Sequence, residues 1–171
     1  MRQIAHIWHE AWSNRLPLNV LISVRPEGVD AMTIHAKRKL YRRIVGNYRE
    51  HARRNGYVAA YIEVVETLVG DTHENLHIAC HVPTKLRAAF IERAFGWLPN
   101  AAEIDARPCT RHVQWLKNGK SKSTLGYIIK NMTPQAAFKS PYLRKRGGGV
   151  WGRRWNCSHN LKRFLWYPDA S

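Results

Sequence analysis

The sequence predicts an α+β fold in which helices flank a single antiparallel sheet of about four to five strands. Three observations support this class. Runs rich in β-branched and aromatic residues alternate with segments whose apolar residues recur every three or four positions. These segments follow one another in the order β-α-β-β-α-β. Two of the strand segments are joined by a short connection, which is typical of an antiparallel hairpin.

The first predicted elements are regular. Residues 4–12 carry apolar positions at helical spacing, as a short helix or an extension would. Residues 18–24 are rich in Val, Ile and Leu and precede Arg25-Pro26-Glu27-Gly28, which predicts a buried strand ending in a turn. A long basic helix follows over residues 33–55, and Asn55-Gly56 is typical of a helix C-terminus. Its apolar face contains Leu40, Ile44, Val45 and Tyr48, and its other face contains Lys37, Arg38, Lys39, Arg42, Arg43, Arg49, Arg53 and Arg54.

The predicted hairpin comes next. Its strands are residues 57–65 and 76–82, and a turn around Gly70-Asp71 connects them. Thr84 is a suitable N-cap for a helix over residues 85–95.

The remaining elements are shorter. Residues 102–116 contain one or two strands, residues 123–131 form a helix, and residues 150–158 form a last strand. We therefore expect one domain over residues 1–171, with a core at residues 18–132 and a basic, Gly-rich C-terminal part at residues 140–171.

The cysteines and the hydropathy indicate a cytoplasmic protein. Cys80, Cys109 and Cys157 are odd in number and form no C-x-x-C motif, so we interpret them as small buried residues in a reducing compartment. No apolar run approaches the ~20 residues that span a bilayer. The N-terminus lacks the apolar region of a signal peptide. We expect a soluble protein without a membrane partner.

Charge is the strongest compositional signal. The chain has 28 Lys and Arg against 12 Asp and Glu, which gives a formal net charge of +16 and a pI of about 10.3. Such an excess repels itself in the folded state and usually indicates a polyanionic partner, here nucleic acid. A solubilising surface and a ribosomal or membrane-surface protein are the alternatives. The candidate nucleic-acid-binding residues are Arg42, Arg43, Arg53, Arg54, Lys120, Lys122, Arg144, Lys145, Arg146, Arg153 and Arg154, and the candidate stacking residues are Trp115, Trp151 and Trp155.

A group of histidines occupies the second hairpin strand. His73, Asn75, His77 and His81 alternate along the chain and share one face of a continuous strand. Imidazoles two residues apart on a strand are suited to binding one divalent metal, and a carboxylate from the neighbouring strand can add an oxygen ligand. Glu66 is preferred over Glu63 for this ligand because Glu66 is nearer the turn. The alternative interpretation is a set of polar, outward-facing histidines.

A tyrosine and a lysine lie three residues apart in the helix predicted at residues 123–131. Tyr127 and Lys130 are therefore neighbours on one helix face. An ammonium group beside a phenol stabilises the phenolate, or the charge that develops on a phosphate under attack. Such a pair can attack a phosphodiester, whereas the alternative is a core tyrosine beside a solvated lysine.

Three segments resemble the motifs of the HUH endonucleases, and more narrowly the rolling-circle replication initiators (Rep proteins) of plasmids and bacterial viruses. They are LNVLISVRP at residues 18–26, NLHIACHVP at residues 75–83 and YIIK at residues 127–130. The resemblance covers roughly residues 18–130. It implies nicking of single-stranded origin DNA with Mg²⁺ or Mn²⁺ through a 5′-phosphotyrosine intermediate. Tyr127 would be the nucleophile, His77 a metal ligand, and Lys130 a residue that assists the phosphate or positions the metal.

The resemblance also implies partners and one departure. The substrate would be an origin hairpin in a bacterial host cell, where a host helicase would unwind the duplex. Asn75 stands where the family has the first histidine of its His-hydrophobic-His motif, and His73 or His81 are the candidates to replace that ligand. A transposase of the same superfamily, a non-catalytic DNA- or RNA-binding module of the same fold, and a ribosome-associated basic protein are the alternative functions.

Overall fold

Five strands pair into one antiparallel sheet, which confirms the predicted α+β class. The computed structural model describes residues 2–25, 34–66, 75–98, 103–109, 114–115, 121–122, 124–129 and 155–165. The strands are β1 (Leu18–Arg25), β2 (Tyr61–Glu66), β3 (Asn75–His81), β4 (Glu103–Pro108), β5 (Gln114–Trp115), β6 (Ser121–Lys122) and β7 (Trp155–Cys157). The helices are α1 (Arg2–Ser13), α2 (Ile34–Arg54), α3 (Arg87–Phe95), α4 (Thr124–Ile129) and α5 (His159–Lys162), and a 3₁₀ turn at Thr84–Leu86 precedes α3.

The strand order in the sheet is β4-β1-β3-β2-β7, so β3 lies at its centre. The predicted hairpin is the antiparallel pair β2 and β3. The elements β1, α2, β2, β3, α3 and β4 follow the predicted β-α-β-β-α-β order. β5 and β6 form a separate two-stranded sheet. No helix in the described part of the chain is both long and apolar enough to cross a bilayer.

Both faces of the sheet are buried. On one face, α2 and α3 pack through Tyr41, Ile44, Tyr48 and Phe90 against side chains such as Ile78; we call this the first core. On the other face, the second core unites residues of α1, α4 and α5 with alternate residues of the strands: Ile4, Ile7, Trp8, Leu21, Ile62, Ala79, Ile128 and Leu161. The face of β3 that carries the histidines is therefore covered, which excludes the alternative that they all point to solvent.

Two local expectations are wrong. Lys37 belongs to the buried side of α2 and is only 8% exposed, because it precedes Tyr41 and Ile44 by one and two helical turns. Thr84 does not cap α3. It begins the 3₁₀ turn, in which the Leu86 N–H donates to the Pro83 carbonyl, and its side chain makes no capping hydrogen bond.

A glycine and an asparagine fix the end of α2 and the irregular end of the β1–β3 pairing. Gly56 has a φ of +66°, which the predicted helix C-terminus requires. The register of β1 on β3 shifts between Leu18 and Val20. Beside this irregularity, the Asn19 side chain donates to the Val82 carbonyl at 2.8 Å and accepts from the Val82 N–H at 3.0 Å. The amide thus replaces the pairing that the shift removes.

Candidate functional site

The candidate site is built on a row of side chains that crosses the sheet within the second core. His77 of β3 pairs with Ser23 of β1 on one side and with Val64 of β2 on the other. Asp105 of β4 pairs with Ser23, and Trp155 of β7 pairs with Val64. Residues paired directly across a sheet lie on the same face. The row therefore brings polar groups from three strands to the covered side of the sheet.

The imidazole of His77 is held at both nitrogens. Its Nδ1 atom lies 3.0 Å from the Ser23 Oγ atom, and its Nε2 atom lies 2.9 Å from the Glu66 Oε1 atom. His77 is 2% exposed, and Glu66 and Ser23 are each 6% exposed. Buried polar groups are costly unless they are hydrogen-bonded, and these contacts meet that requirement.

The serine hydroxyl lets His77 take either of two proton arrangements. A carboxylate only accepts hydrogen bonds, so the Nε2 atom carries the proton when it bonds to Glu66, and the Ser23 hydroxyl then donates to Nδ1. When the proton is on Nδ1, the Nδ1–H group donates a hydrogen bond to the same hydroxyl. The lone pair of Nε2 is then available to a metal ion. Ser23 is therefore suited to orient the ring in both states.

The donor set fits a divalent cation. The 2.9 Å between His77 Nε2 and Glu66 Oε1 is the length of a direct N–H···O hydrogen bond, and an imidazole nitrogen and a carboxylate oxygen are donor types that Mn²⁺ or Mg²⁺ would accept as ligands. Asn75 pairs directly with Glu66 across β2 and β3, so its amide belongs to the same face. Within the described residues no three His, Cys, Asp or Glu side chains form a metal-binding group. Of the predicted ligands, Asn75 would be the third on this face of the sheet.

His81 has different contacts from His77. It is four residues from His77 along β3, a separation of about 13 Å in an extended strand. Its Nδ1–H donates to the Pro17 carbonyl at 3.0 Å, and its ring packs against Tyr57. Burial lowers its pKa, and the bond to Pro17 opposes that shift. Sharing a strand face is therefore not sufficient to share a metal site.

The helix that contains Tyr127 packs on the same sheet face as His77. Ile128 of α4 is buried in the second core, and Leu125 of the same helix packs against this core. Thr124, at the start of α4, hydrogen-bonds to Cys109, whose pKa burial raises to about 12. The predicted tyrosine helix and the predicted metal-binding strand are thus brought to one side of the sheet.

The other described tyrosines belong to the opposite face. Tyr41, Tyr48 and Tyr61 are part of the first core, and Tyr57 packs against it. Burial raises the pKa of Tyr48, Tyr57 and Tyr61. A phenol with a raised pKa is a weaker nucleophile at neutral pH. Among the five tyrosines of the described ranges, only Tyr127 lies in a helix that packs on the site's face.

Ser23 and Asp105 are the residues that the sequence did not single out. Ser23 is a polar residue inside the apolar run LNVLISV, and this interruption is the signal that could have identified it. Asp105 shares the face of Ser23 and approaches Arg107, with 3.6 Å between Oδ2 and Nε. It adds a carboxylate at the edge of the row.

The other predicted site residues lie on α2, on β5 and β6, or outside the described part of the chain. Arg42, Arg43, Arg53 and Arg54 are exposed on α2, and Glu50 forms ion pairs with Arg53 and Arg54. Lys122 lies in β6, and Trp115 lies in β5. The remaining predicted site residues lie outside the described residues: His73, Lys120, Lys130, Arg144, Lys145, Arg146, Trp151, Arg153 and Arg154.

Comparison of the chain with models of protein families, with curated proteins and with solved structures found no match.

Proposed function

We propose that the protein is a metal-dependent endonuclease that nicks and rejoins single-stranded DNA and so initiates rolling-circle replication of a plasmid or bacterial virus. The observation that carries this proposal is the common location of two features. The buried His77–Glu66 pair and the helix containing Tyr127 lie on the same face of one sheet. A net charge of +16 supports a polyanionic substrate.

The proposed reaction is a transesterification at phosphorus. The Tyr127 oxygen forms a bond to the scissile phosphorus, its proton passes to solvent or a nearby base, and the bond from phosphorus to the 3′ oxygen breaks. The DNA on the 5′-phosphate side is then joined to the protein, and the other strand end is a free 3′-hydroxyl. Attack by a 3′-hydroxyl reverses the step without an external energy source.

Glu66, His77 and Asn75 are the residues that would hold Mg²⁺ or Mn²⁺. Such an ion supplies a Lewis acid that polarises a phosphate oxygen. Glu66 contributes a hard oxygen donor and negative charge, and the Ser23 hydroxyl keeps the imidazole plane of His77 aligned. The helices on this face exclude water from the pair, which strengthens its electrostatic interactions.

A covalent-adduct assay tests the proposal. The full-length protein is incubated with a 3′-labelled random-sequence single-stranded DNA library and Mn²⁺, then separated on a denaturing gel. We expect a labelled protein band that Tyr127→Phe abolishes while DNA binding is retained. Tyr61→Phe is the matched control, because Tyr61 lies in the first core, and it should keep the band.

The Tyr127→Phe variant tests the nucleophile, and the wild-type protein tests nicking itself. A band that persists in Tyr127→Phe excludes Tyr127 as the nucleophile, and Tyr142 would then be tested next. Absence of a band in the folded, DNA-binding wild-type protein on library DNA and on single-stranded hairpins contradicts nicking.

A second candidate function is a nucleic-acid-binding module without catalysis. The observation that favours it is the saturation of the His77 ring, which already bonds to Ser23 and Glu66, together with the amide at Asn75. In this case the polar pair only stabilises the sheet. Binding of single-stranded DNA that is unchanged by Mn²⁺, by chelator and by His77→Gln distinguishes the module from the nickase.

A further inference from the structure

The solvent-exposed side of α2 forms a continuous basic surface. Between His35 and Arg54 the exposed charged side chains are almost all positive, and the only acidic residue of this helix is Glu50. The basic stretch from Lys39 to Arg54 is about 22 Å long at the rise of an α-helix. We call this the α2 surface, and its exposed basic residues are Lys39, Arg42, Arg43, Arg49, Arg53 and Arg54.

Only part of the positive charge of this surface is neutralised by ion pairs within the described residues. Glu50 pairs with Arg53 and Arg54 at 2.7 and 2.6 Å. None of the ion pairs of the described residues involves Lys39, Arg42 or Arg43. Like charges one turn apart on a helix destabilise it, so neighbouring arginines without an ion-pair partner favour an external anion.

The α2 surface faces away from the candidate nicking site. The buried side of α2 contributes Tyr41, Ile44 and Tyr48 to the first core, whereas His77 lies on the face of the second core. The sheet therefore separates the two. A nucleic-acid segment that contacts Arg42 cannot be the segment whose phosphate lies beside His77.

Gly46 lies in the middle of the basic row and has no structural reason to be glycine. It is exposed, lies within the regular helix, and an added Cβ would meet nothing within 4 Å. Glycine inside a helix is less favourable than alanine. Arg42 and Arg49 each lie about one turn from Gly46, so the missing side chain leaves a gap between positive groups. Close approach of a nucleic-acid phosphate backbone would explain both the glycine at position 46 and the arginines on either side of it.

We infer that the α2 surface docks the phosphate backbone of duplex DNA, separately from the single strand at the nicking site. Single-strand binding proteins rely on exposed aromatic residues that stack on bases. On α2 the aromatic residues Tyr41 and Tyr48 are buried, and the exposed face between His35 and Arg54 presents only charged and small groups apart from His35. Charge without stacking platforms fits the backbone of a duplex. Docking requires no nicking chemistry, so this inference and the proposed function can fail independently.

Binding of a labelled duplex of about 20 base pairs to the full-length protein, measured by anisotropy across a salt series, tests the inference. We expect Arg42→Gln/Arg43→Gln to weaken duplex binding at least tenfold and to lower the slope of log K against log salt by about 2, since each lost phosphate contact contributes ~0.9. Glutamine retains helix propensity, so the fold should be kept. The matched control Lys162→Gln/Arg163→Gln removes two exposed charges at the C-terminal end of α5, at the other face, and should leave duplex binding within twofold.

A steric variant separates contact from long-range attraction. Gly46→Leu keeps every charge but fills the gap, and we expect duplex binding to fall about fivefold while helix stability rises. Ser13→Leu, at the exposed end of α1, is its control. Equal duplex affinity in the wild type, Arg42→Gln/Arg43→Gln and Gly46→Leu would overturn the inference, even if the tyrosine adduct forms. Loss of single-strand binding alone in these variants would also overturn it, because the surface would then bind the nicked strand.

Discussion

The Nε2 atom of His77 lies 2.9 Å from the Oε1 atom of Glu66, inside a core that is otherwise almost entirely apolar. Ser23 completes the arrangement at the Nδ1 atom. Desolvating two such groups costs free energy, which their mutual hydrogen bond offsets while both are present. Removing one group leaves the other buried with an incomplete set of partners.

The first prediction concerns stability. His77→Leu and Glu66→Leu should each lower the free energy of unfolding by about 3 kcal/mol, whereas the double variant should lose clearly less than the sum. Urea denaturation of the full-length variants measures the coupling. Additive losses would mean that the two side chains do not depend on each other.

The second prediction concerns the departure at Asn75. A histidine nitrogen is a stronger ligand for Mn²⁺ than a carboxamide oxygen, and Asn75 pairs with Glu66 in the register of β2 and β3. Asn75→His should therefore tighten Mn²⁺ binding about tenfold in calorimetric titration at about pH 7.5.

The control for this variant places a histidine elsewhere. Thr84→His adds an imidazole at an exposed position of the 3₁₀ turn and should not change Mn²⁺ affinity. Equal tightening in Thr84→His and Asn75→His would show that any added histidine suffices. No change in either would remove Asn75 from the ligand set.

The third prediction compares two buried serines. Ser23 Oγ contacts the His77 ring, and Ser158 Oγ accepts from the Tyr61 N–H at 3.2 Å. Replacement of either by alanine should cost about 1 kcal/mol of stability because a buried hydrogen bond is lost. Ser23→Ala alone should also weaken Mn²⁺ binding about tenfold, since partners that orient a metal ligand contribute 10–100-fold. Unchanged Mn²⁺ affinity in Ser23→Ala would assign the serine a purely structural role.

The elements with strong local patterns could be predicted from the sequence. Val, Ile and Leu in succession identified β1, and the three-to-four spacing of Leu40, Ile44 and Tyr48 identified α2. The pairing of β2 with β3 could also be predicted, because two strand-like runs separated by a turn signal favour a hairpin, whereas the register that places Glu66 opposite Asn75 comes from the structure.

Features that depend on distant pairing could not be predicted. Ser23 and His77 are 54 residues apart, and their contact exists only because β3 pairs with β1 as well as with β2. The burial of the histidine face depends on α1 and α5, which come from opposite ends of the chain. An alternating pattern also gives a common strand face without a common location, and His81 accordingly contacts Pro17 and Tyr57 while His77 contacts Ser23 and Glu66.

The fourth prediction concerns pH. Burial, with a smaller contribution from Arg93, lowers the pKa of His51 below its usual 6.5, and burial lowers that of His81. Below about pH 6.5 the unfolded chain therefore binds more protons than the folded protein, so stability is full above this pH and falls as the pH decreases towards the lowered values. The Tm should decrease between pH 7 and pH 5. His51→Gln should flatten this decrease, and the exposed His9→Gln should not; a steeper decrease in His51→Gln would contradict the assignment.

The fifth prediction separates structural from catalytic tyrosines. The Tyr48 hydroxyl lies 2.8 Å from the His81 carbonyl oxygen and 3.0 Å from that of Ala60, and Ala60 also accepts from the His81 N–H. Tyr48→Phe removes the donor to these buried carbonyls and should lower the free energy of unfolding by about 1–2 kcal/mol. It should leave the DNA adduct unchanged, because Tyr48 lies in the first core and its burial raises its pKa. Thermal unfolding and the adduct assay on the same preparation measure both effects, and loss of the adduct in folded Tyr48→Phe would contradict the separation of the two faces.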